Sequence, residues 1–129
     1  MKGLLVDDDE LYARTLQRSL ARKGIETEIA LDAASALAKA REYRPDFALV
    51  DLKLGADSGL TLSEPLRALR ADMQILLVTG YASVATAVES IKRGADDYLP
   101  KPATVPTILR ALGLEAPAAP EETSAADDT

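Results

Sequence analysis

Two residue types that carry much of protein chemistry are missing from this chain of 129 residues: it has no cysteine and no histidine. The first absence excludes disulfides and thiolate metal sites. The second removes imidazole as a general base, a metal ligand or a phosphoryl carrier, so a metal bound here has to be held by oxygen. Long apolar runs are missing as well. Met1-Lys2-Gly3 leads into a short hydrophobic stretch that resembles no signal peptide, and nothing is long enough to cross a bilayer. A basic face is the last absence. The net charge is −6, and from Gly113 onward there are five acids (Glu115, Glu121, Glu122, Asp127 and Asp128) and no base. Setting those five aside from the 21 acids leaves 16 against 15 bases, a body near −1 with an acidic tail. Nucleic-acid binding draws on a concentrated positive surface. Direct nucleic-acid binding by this chain is therefore not expected, and neither is membrane association.

What is present suffices for one core: 47% of the residues are hydrophobic. Apolar stretches at 3–6, 25–30, 47–50, 75–78 and a weaker one at 97–99 read as strands. Between them, apolar residues recur at helical spacing: Tyr12, Leu16 and Leu20; Ala33, Ala36, Leu37 and Ala40; Leu62, Leu66 and Leu69; Val84, Ala87, Val88 and Ile91; Val105, Ile108, Leu109 and Leu112. Asp9, Asp32, Ser58, Ser83 and Thr104 stand where N-caps are needed, and Gly24 and Gly94 where helices should stop. Pro65 falls inside the third helical pattern and should kink it or delay its start. Strict alternation of strand and helix means a parallel sheet covered on both faces. The strands ending at Val6, Val50 and Val78 are continuously apolar, as strands buried on both sides are. The second alternates and the fifth is short and polar, which puts them at the edges. A flavodoxin-like (βα)5 sheet of order 2-1-3-4-5 satisfies that constraint. Residues 1–112 form the domain, and 113–129, rich in Pro, Ala and acids, read as a linker or disordered tail.

In open sheets of this class, sites form beyond the carboxyl ends of the strands, where the strand order reverses. That point lies between the first and third strands. The first strand ends at Asp7-Asp8, the third at Asp51, the fourth at Thr79, and the fifth runs into Lys101-Pro102. Pro102 admits a fixed cis bond that aims the lysine amine. Three carboxylates together raise one another's pKa unless a cation relieves the conflict. Oxygen ligands in an open site suit Mg²⁺, which keeps several waters and takes one or two carboxylates. A carboxylate is also a nucleophile towards phosphorus, giving an acyl phosphate. Phosphoryl transfer then asks for charge neutralisation and alignment, which Asp7, Asp8, Lys101 and Thr79 could supply around Asp51.

The motifs "LLVDDDE", "ALVDLKL", "LLVTGYAS" and "DYLPKP" match, in order and spacing over residues 3 to 112, those of the receiver domain of two-component response regulators, which this chain resembles. The resemblance implies Asp51 as phosphoacceptor and as part of the metal site with Asp7 and Asp8, and of the two metal-site acids Asp7 and Asp8 it favours Asp8 as the direct ligand. It also implies the backbone carbonyl of Lys53 on Mg²⁺, Thr79 and Lys101 on the phosphoryl group, and Tyr98 as the aromatic switch. A sensor histidine kinase is the implied donor, a homodimer through the helix 4–strand 5–helix 5 face an implied assembly, and the cytoplasm the implied compartment. Such a domain phosphorylates and dephosphorylates itself and is not an enzyme acting on other substrates. "TGYASVATAV" and "KPA" are most similar to RegA/PrrA-type regulators. Output would then be transcription regulation through a DNA-binding domain absent from this chain, with a stand-alone regulator acting by protein contact as the alternative. Two departures stand out: the loop "DLKLGADSG" lacks a proline common in the family, and Lys53 sets a long cation at the mouth of the site.

Blander readings apply to several residues. Asp9 and Glu10 are explained by a helix start, Tyr81 by packing, and the Val84/Val88/Ile91 stripe by the core. A flavin or nucleotide module on the same fold would need a Ser/Thr/Gly-rich phosphate loop after the first strand, where this chain has acids. An interaction domain that had lost the chemistry would not need the full acid–threonine–lysine set.

Overall fold

A computed structural model describes residues 1–54, 57–80 and 84–114 of the chain. In chain order the elements are β1 (Lys2–Val6), α1 (Glu10–Ala21), β2 (Glu26–Ala30), α2 (Ala33–Tyr43), β3 (Phe47–Asp51), β4 (Lys53–Leu54), β5 (Asp57–Ser58), α3 (Gly59–Leu69), β6 (Gln74–Thr79), α4 (Val84–Lys92), β7 (Asp97–Pro100) and α5 (Val105–Ala111). The main sheet runs β2-β1-β3-β6-β7 with every pairing parallel. Counting only its own strands, that is the expected order 2-1-3-4-5. The short antiparallel pair β4/β5, with Lys53 opposite Ser58 and Leu54 opposite Asp57, has no counterpart in the hydrophobic pattern. Two-residue strands are too short to leave a periodic signal.

The central strands are buried on both faces, and the alternation of their side chains divides the core in two. Leu4, Val6, Ala48, Val50, Ile75 and Leu77 join residues of α2 and α3, including Ala36, Ala40, Leu62 and Leu66. Leu5, Phe47, Leu49, Leu76 and Val78 join Leu16 and Leu20 of α1 and Ile108 and Leu112 at α5. Gly3 in β1 faces Phe47 in β3, and a Cβ there would run into the Phe47 ring. At the β2 edge, both helices reach over the strand. Gln17 Nε2 donates to the Thr27 carbonyl at 2.9 Å and Lys39 Nζ to the Ile29 carbonyl at 2.7 Å, so these two acceptors are occupied.

Four of the expected N-caps hold: Asp9, Asp32, Ser58 and Thr104 each accept a first-turn backbone N–H. Ser83 and Tyr81 lie outside the described residues, as do residues 115–129. Gly24 and Gly94 follow α1 and α4 with positive φ, as expected. Helix α2 ends instead on Arg44 at φ 53, before Pro45, a left-handed stop without glycine. Three expectations are corrected. Ile25 lies outside β2, which begins at Glu26. Pro65 sits inside α3 without delaying its start, because Ser58 caps the helix a full turn and more upstream. Val88 and Ile91 are 49% and 50% exposed, not core. Helix α4 packs on β7 and α3, and that packing leaves about half of each of these two side chains exposed.

The amino ends of the strands are tied by a repeated device. Asp46, just before β3, donates its N–H to the Lys2 carbonyl and accepts the Lys2 N–H on its carboxylate, both at 2.8 Å. Asp96, just before β7, does the same to Ile75, at 2.7 Å in each direction. Each aspartate also meets an arginine of the α3 end, Arg70 with Asp46 at 3.0 Å and Arg67 with Asp96 at 2.6 Å. These ties hold the strands in register, and so align their opposite, carboxyl ends.

Candidate functional site

Asp7 follows β1, Asp51 ends β3, Thr79 ends β6 and Lys101 follows β7, so register alone brings four distant segments to one edge. Backbone bonds stitch them: the Leu52 N–H donates to the Val78 carbonyl at 2.9 Å and the Lys101 N–H to the Thr79 carbonyl at 2.8 Å. Lys101 Nζ donates to Asp7 Oδ2 at 2.9 Å and to Asp51 Oδ2 at 3.3 Å. The peptide between Lys101 and Pro102 is cis. Asp7, Asp51 and Thr79 are buried, and Asp8 is exposed.

The other oxygens of the two buried acids are held by neighbouring backbone. Asp9 N–H donates to Asp7 Oδ1 at 2.9 Å, and Lys53 N–H to Asp51 Oδ1 at 3.2 Å. Burial raises the Asp51 carboxyl above the ordinary aspartate value; the Lys53 amide works against this and the charge of Asp7 adds to it. Burial would lower the Lys101 ammonium, but its hydrogen bond to Asp7 and the charges of Asp7 and Asp51 together raise it. Ligand oxygens of Asp7, Asp8 and Asp51 lie within 4.8 Å of one another. Three carboxylates against one ammonium leave two negative charges. A hard divalent cation matches that set in charge and in donor chemistry, since nitrogen and sulfur ligands are absent from it. The residues therefore fit Mg²⁺.

The expected residues Asp7, Asp8, Asp51 and Lys101 come together in this way, with Thr79 beside them at the end of β6. Lys53 stands in β4, its amide on Asp51. Tyr98, in β7, is half-buried against the α2/α3 side of the core, and its N–H donates to Asp97 Oδ1 at 2.8 Å. Two site residues escaped sequence reasoning. Gly59 donates its N–H to the Leu52 carbonyl at 2.8 Å, and a Cβ on it would strike the Asp51 carbonyl oxygen. Helix α3 can start against the end of β3 only because that Cβ is missing; the Ser-Gly pair in "DLKLGADSG" was the available signal. Tyr12, read as a core-facing residue of α1, places its ring under Lys101 Nζ, 4.7 Å from the centroid. Its hydroxyl accepts the Ala103 N–H at 3.3 Å. Burial raises the Tyr12 phenol above its ordinary value.

Known proteins resemble this chain over most of its length. The family model of the response regulator receiver domain matches residues 4–113. The acid tolerance regulatory protein ActR of Sinorhizobium medicae is 45% identical over 109 residues, covering 84% of this chain and 56% of that protein. The photosynthetic apparatus regulatory protein RegA of Rhodovulum sulfidophilum is 42% identical over 127 residues, covering 96% of this chain and 69% of that protein. The chain thus spans a little over half the length of the ActR protein. Among solved structures, a response regulator from Burkholderia pseudomallei, crystallised with a phosphorylated aspartic acid, calcium ion and citrate, superposes with TM-score 0.83 at 50% identity. That match covers 86% of this chain and 65% of the other. A CheY-like receiver domain protein from Methanospirillum hungatei gives TM-score 0.81 at 37% identity, covering 87% and 90%. The likeness to RegA-type regulators read from "TGYASVATAV" and "KPA" agrees with these relatives.

Proposed function

The chain belongs to the response regulator receiver domain family, and from that membership we propose that Asp51 is its phosphoacceptor in a two-component relay. The observation that carries this reading is the cluster itself: three carboxylates within 4.8 Å, two of them bridged by the Lys101 ammonium. An oxygen of Asp51 attacks the phosphorus of a phosphohistidine on a sensor kinase. The O–P bond forms as the P–N bond breaks, and the departing imidazole keeps the electron pair and is protonated from solvent. Lys101 meets the phosphoryl oxygens, and the Thr79 hydroxyl donates to one of them. Asp7, Asp8, Asp51 and the Lys53 backbone carbonyl would hold Mg²⁺, with Asp8 favoured over Asp7 as the direct ligand. When bound, Mg²⁺ offsets the charge that the carboxylates and the phosphoryl oxygens bring together.

Tyr98, on the strand that delivers Lys101, turns inward as Thr79 engages the phosphoryl group. The change is read on the face of α4, β7 and α5, through which the domain forms a homodimer. The half-exposed Val88 and Ile91 on α4 support a contact there. The kinase is cytoplasmic on its donor side, as is this domain. Output is transcription regulation through a DNA-binding domain outside this chain, as the regulatory relatives of greater length suggest. A stand-alone domain would use the same α4 face for protein contact. Acetyl phosphate with Mg²⁺ should add one phosphoryl group to the protein, and Asp51→Asn should abolish the addition. Normal labelling of that variant would overturn the assignment.

A further inference from the structure

Lys101 is a long, flexible side chain, and fixing it in one place costs rotamer entropy. Its ammonium is nonetheless held between Asp7 and Asp51, and a third group bears on it from below. The Tyr12 ring lies 4.7 Å from Nζ, within cation–π range. The same side chain reaches past the lysine, and its hydroxyl accepts the N–H of Ala103, two residues on. Tyr12 therefore grips the Lys101 segment at the charged tip and at the backbone. Its own position is set by the first turn of α1, where its N–H donates to Asp9 Oδ1 at 3.0 Å.

The ring packs against the α1/α5 side of the core. A cavity of about 10 Å³ lies beside it, bounded also by Asp7, Leu16, Asp51 and Ala103, room for a single water. Its contacts with Lys101 and Ala103 are made in addition to that packing.

We propose that Tyr12 is a positioning residue for phosphoryl transfer: its ring holds the Lys101 ammonium where the phosphoryl oxygens of the transition state arrive. This rests on the reading of Asp51 as phosphoacceptor. In the test reaction an Asp51 oxygen bonds to the phosphorus of acetyl phosphate while the bond from phosphorus to the acetate oxygen breaks, and acetate leaves with the electron pair. The group that Tyr12 directs must meet charge on that phosphoryl, and sub-ångström misplacement of such a group is costly.

The test uses the full chain with Tyr12→Phe and Tyr12→Leu, measuring the labelling rate with acetyl phosphate and, separately, Mg²⁺ affinity. Tyr12→Phe keeps the ring and should label within about threefold of the unaltered protein. Tyr12→Leu should slow labelling about tenfold, roughly 1.4 kcal/mol of barrier. Mg²⁺ affinity should be unchanged in both, because the metal-site acids are not touched. Undiminished labelling by Tyr12→Leu overturns the proposal. So does an equal loss in Tyr12→Phe, or a parallel loss of Mg²⁺ affinity, which would mark a structural role. Failure of the unaltered protein to label removes the phosphoacceptor reading itself, and this inference with it.

Discussion

At the scale of single residues, the site depends on who stands next to whom more than on any one group. Asp51 is a carboxylate raised by burial, with Lys101 on one oxygen and the Lys53 amide on the other. Its placement depends in turn on a residue with no side chain. Gly59 lets α3 begin in contact with the Asp51 carbonyl, and neither backbone segment can yield as a flexible side chain would. Gly59→Ala should therefore cost about 1–3 kcal/mol by overpacking and should slow labelling of Asp51 by moving it. Denaturant unfolding and the labelling rate check this together, and a variant as stable and as fast as the unaltered protein would contradict it. Asp7, Asp8, Asp51, Thr79 and Lys101 were legible in the sequence because each stands at or just past the end of a strand. Gly59 and Tyr12 were not, because a close approach and a ring beneath a cation are relations between elements, and neither leaves a periodic trace.

At the scale of elements, α3 anchors both ends of the sheet's registration. Its first residue meets the carboxyl end of β3, and its last turn supplies Arg67 to the amino ends of β6 and β7. Arg67 donates to the Ala71 and Met73 carbonyls, to the Gly94 carbonyl at 2.7 Å and to Asp96 at 2.6 Å. A charged donor serving several partly buried acceptors is worth more than an open surface pair. Arg67→Met should lower stability by about 1.5–3 kcal/mol, whereas Arg14→Ala, which breaks the exposed pair with Glu10, should change it by about 0.5 kcal/mol or less. Equal effects in thermal unfolding would remove the distinction. Asp46 adds a pH signature. The N–H of Lys2 and then Arg70 hold its carboxyl below the ordinary value of 3.8. A carboxyl lowered on folding stabilises the fold above that value, and the contribution fades as pH falls through the lowered one. Asp46→Asn should thus lose about 1 kcal/mol at neutral pH, and its stability should decline less steeply in acid. A variant with the same acid limb would contradict the assignment. The tie itself was not readable beforehand, since an aspartate before a strand looks like any turn residue.

At the scale of the whole molecule, the strand order was legible because burial separates inner from edge strands in their composition. Continuous apolar runs lie at β1, β3 and β6, and the alternating "ETEIA" at β2 has one face open. The helices were legible by period and cap. The α4 stripe was misread because apolar spacing marks a face without saying whether anything covers it, and Val88 and Ile91 are half exposed. A parallel sheet of this order gathers the ends of β1, β3, β6 and β7 on one edge, and the chemistry follows from what those ends carry. The central claim is that this edge directs a phosphoryl group to one carboxylate with the help of a divalent cation. The most direct test is to treat the protein with acetyl phosphate, reduce the acyl phosphate with borohydride, and map the converted residue by peptide mass, with Mg²⁺ and with chelator. Conversion at Asp51 alone, abolished by chelator, is the predicted result. Conversion at Asp7, Asp8 or elsewhere, or conversion at Asp51 indifferent to the chelator, would contradict it.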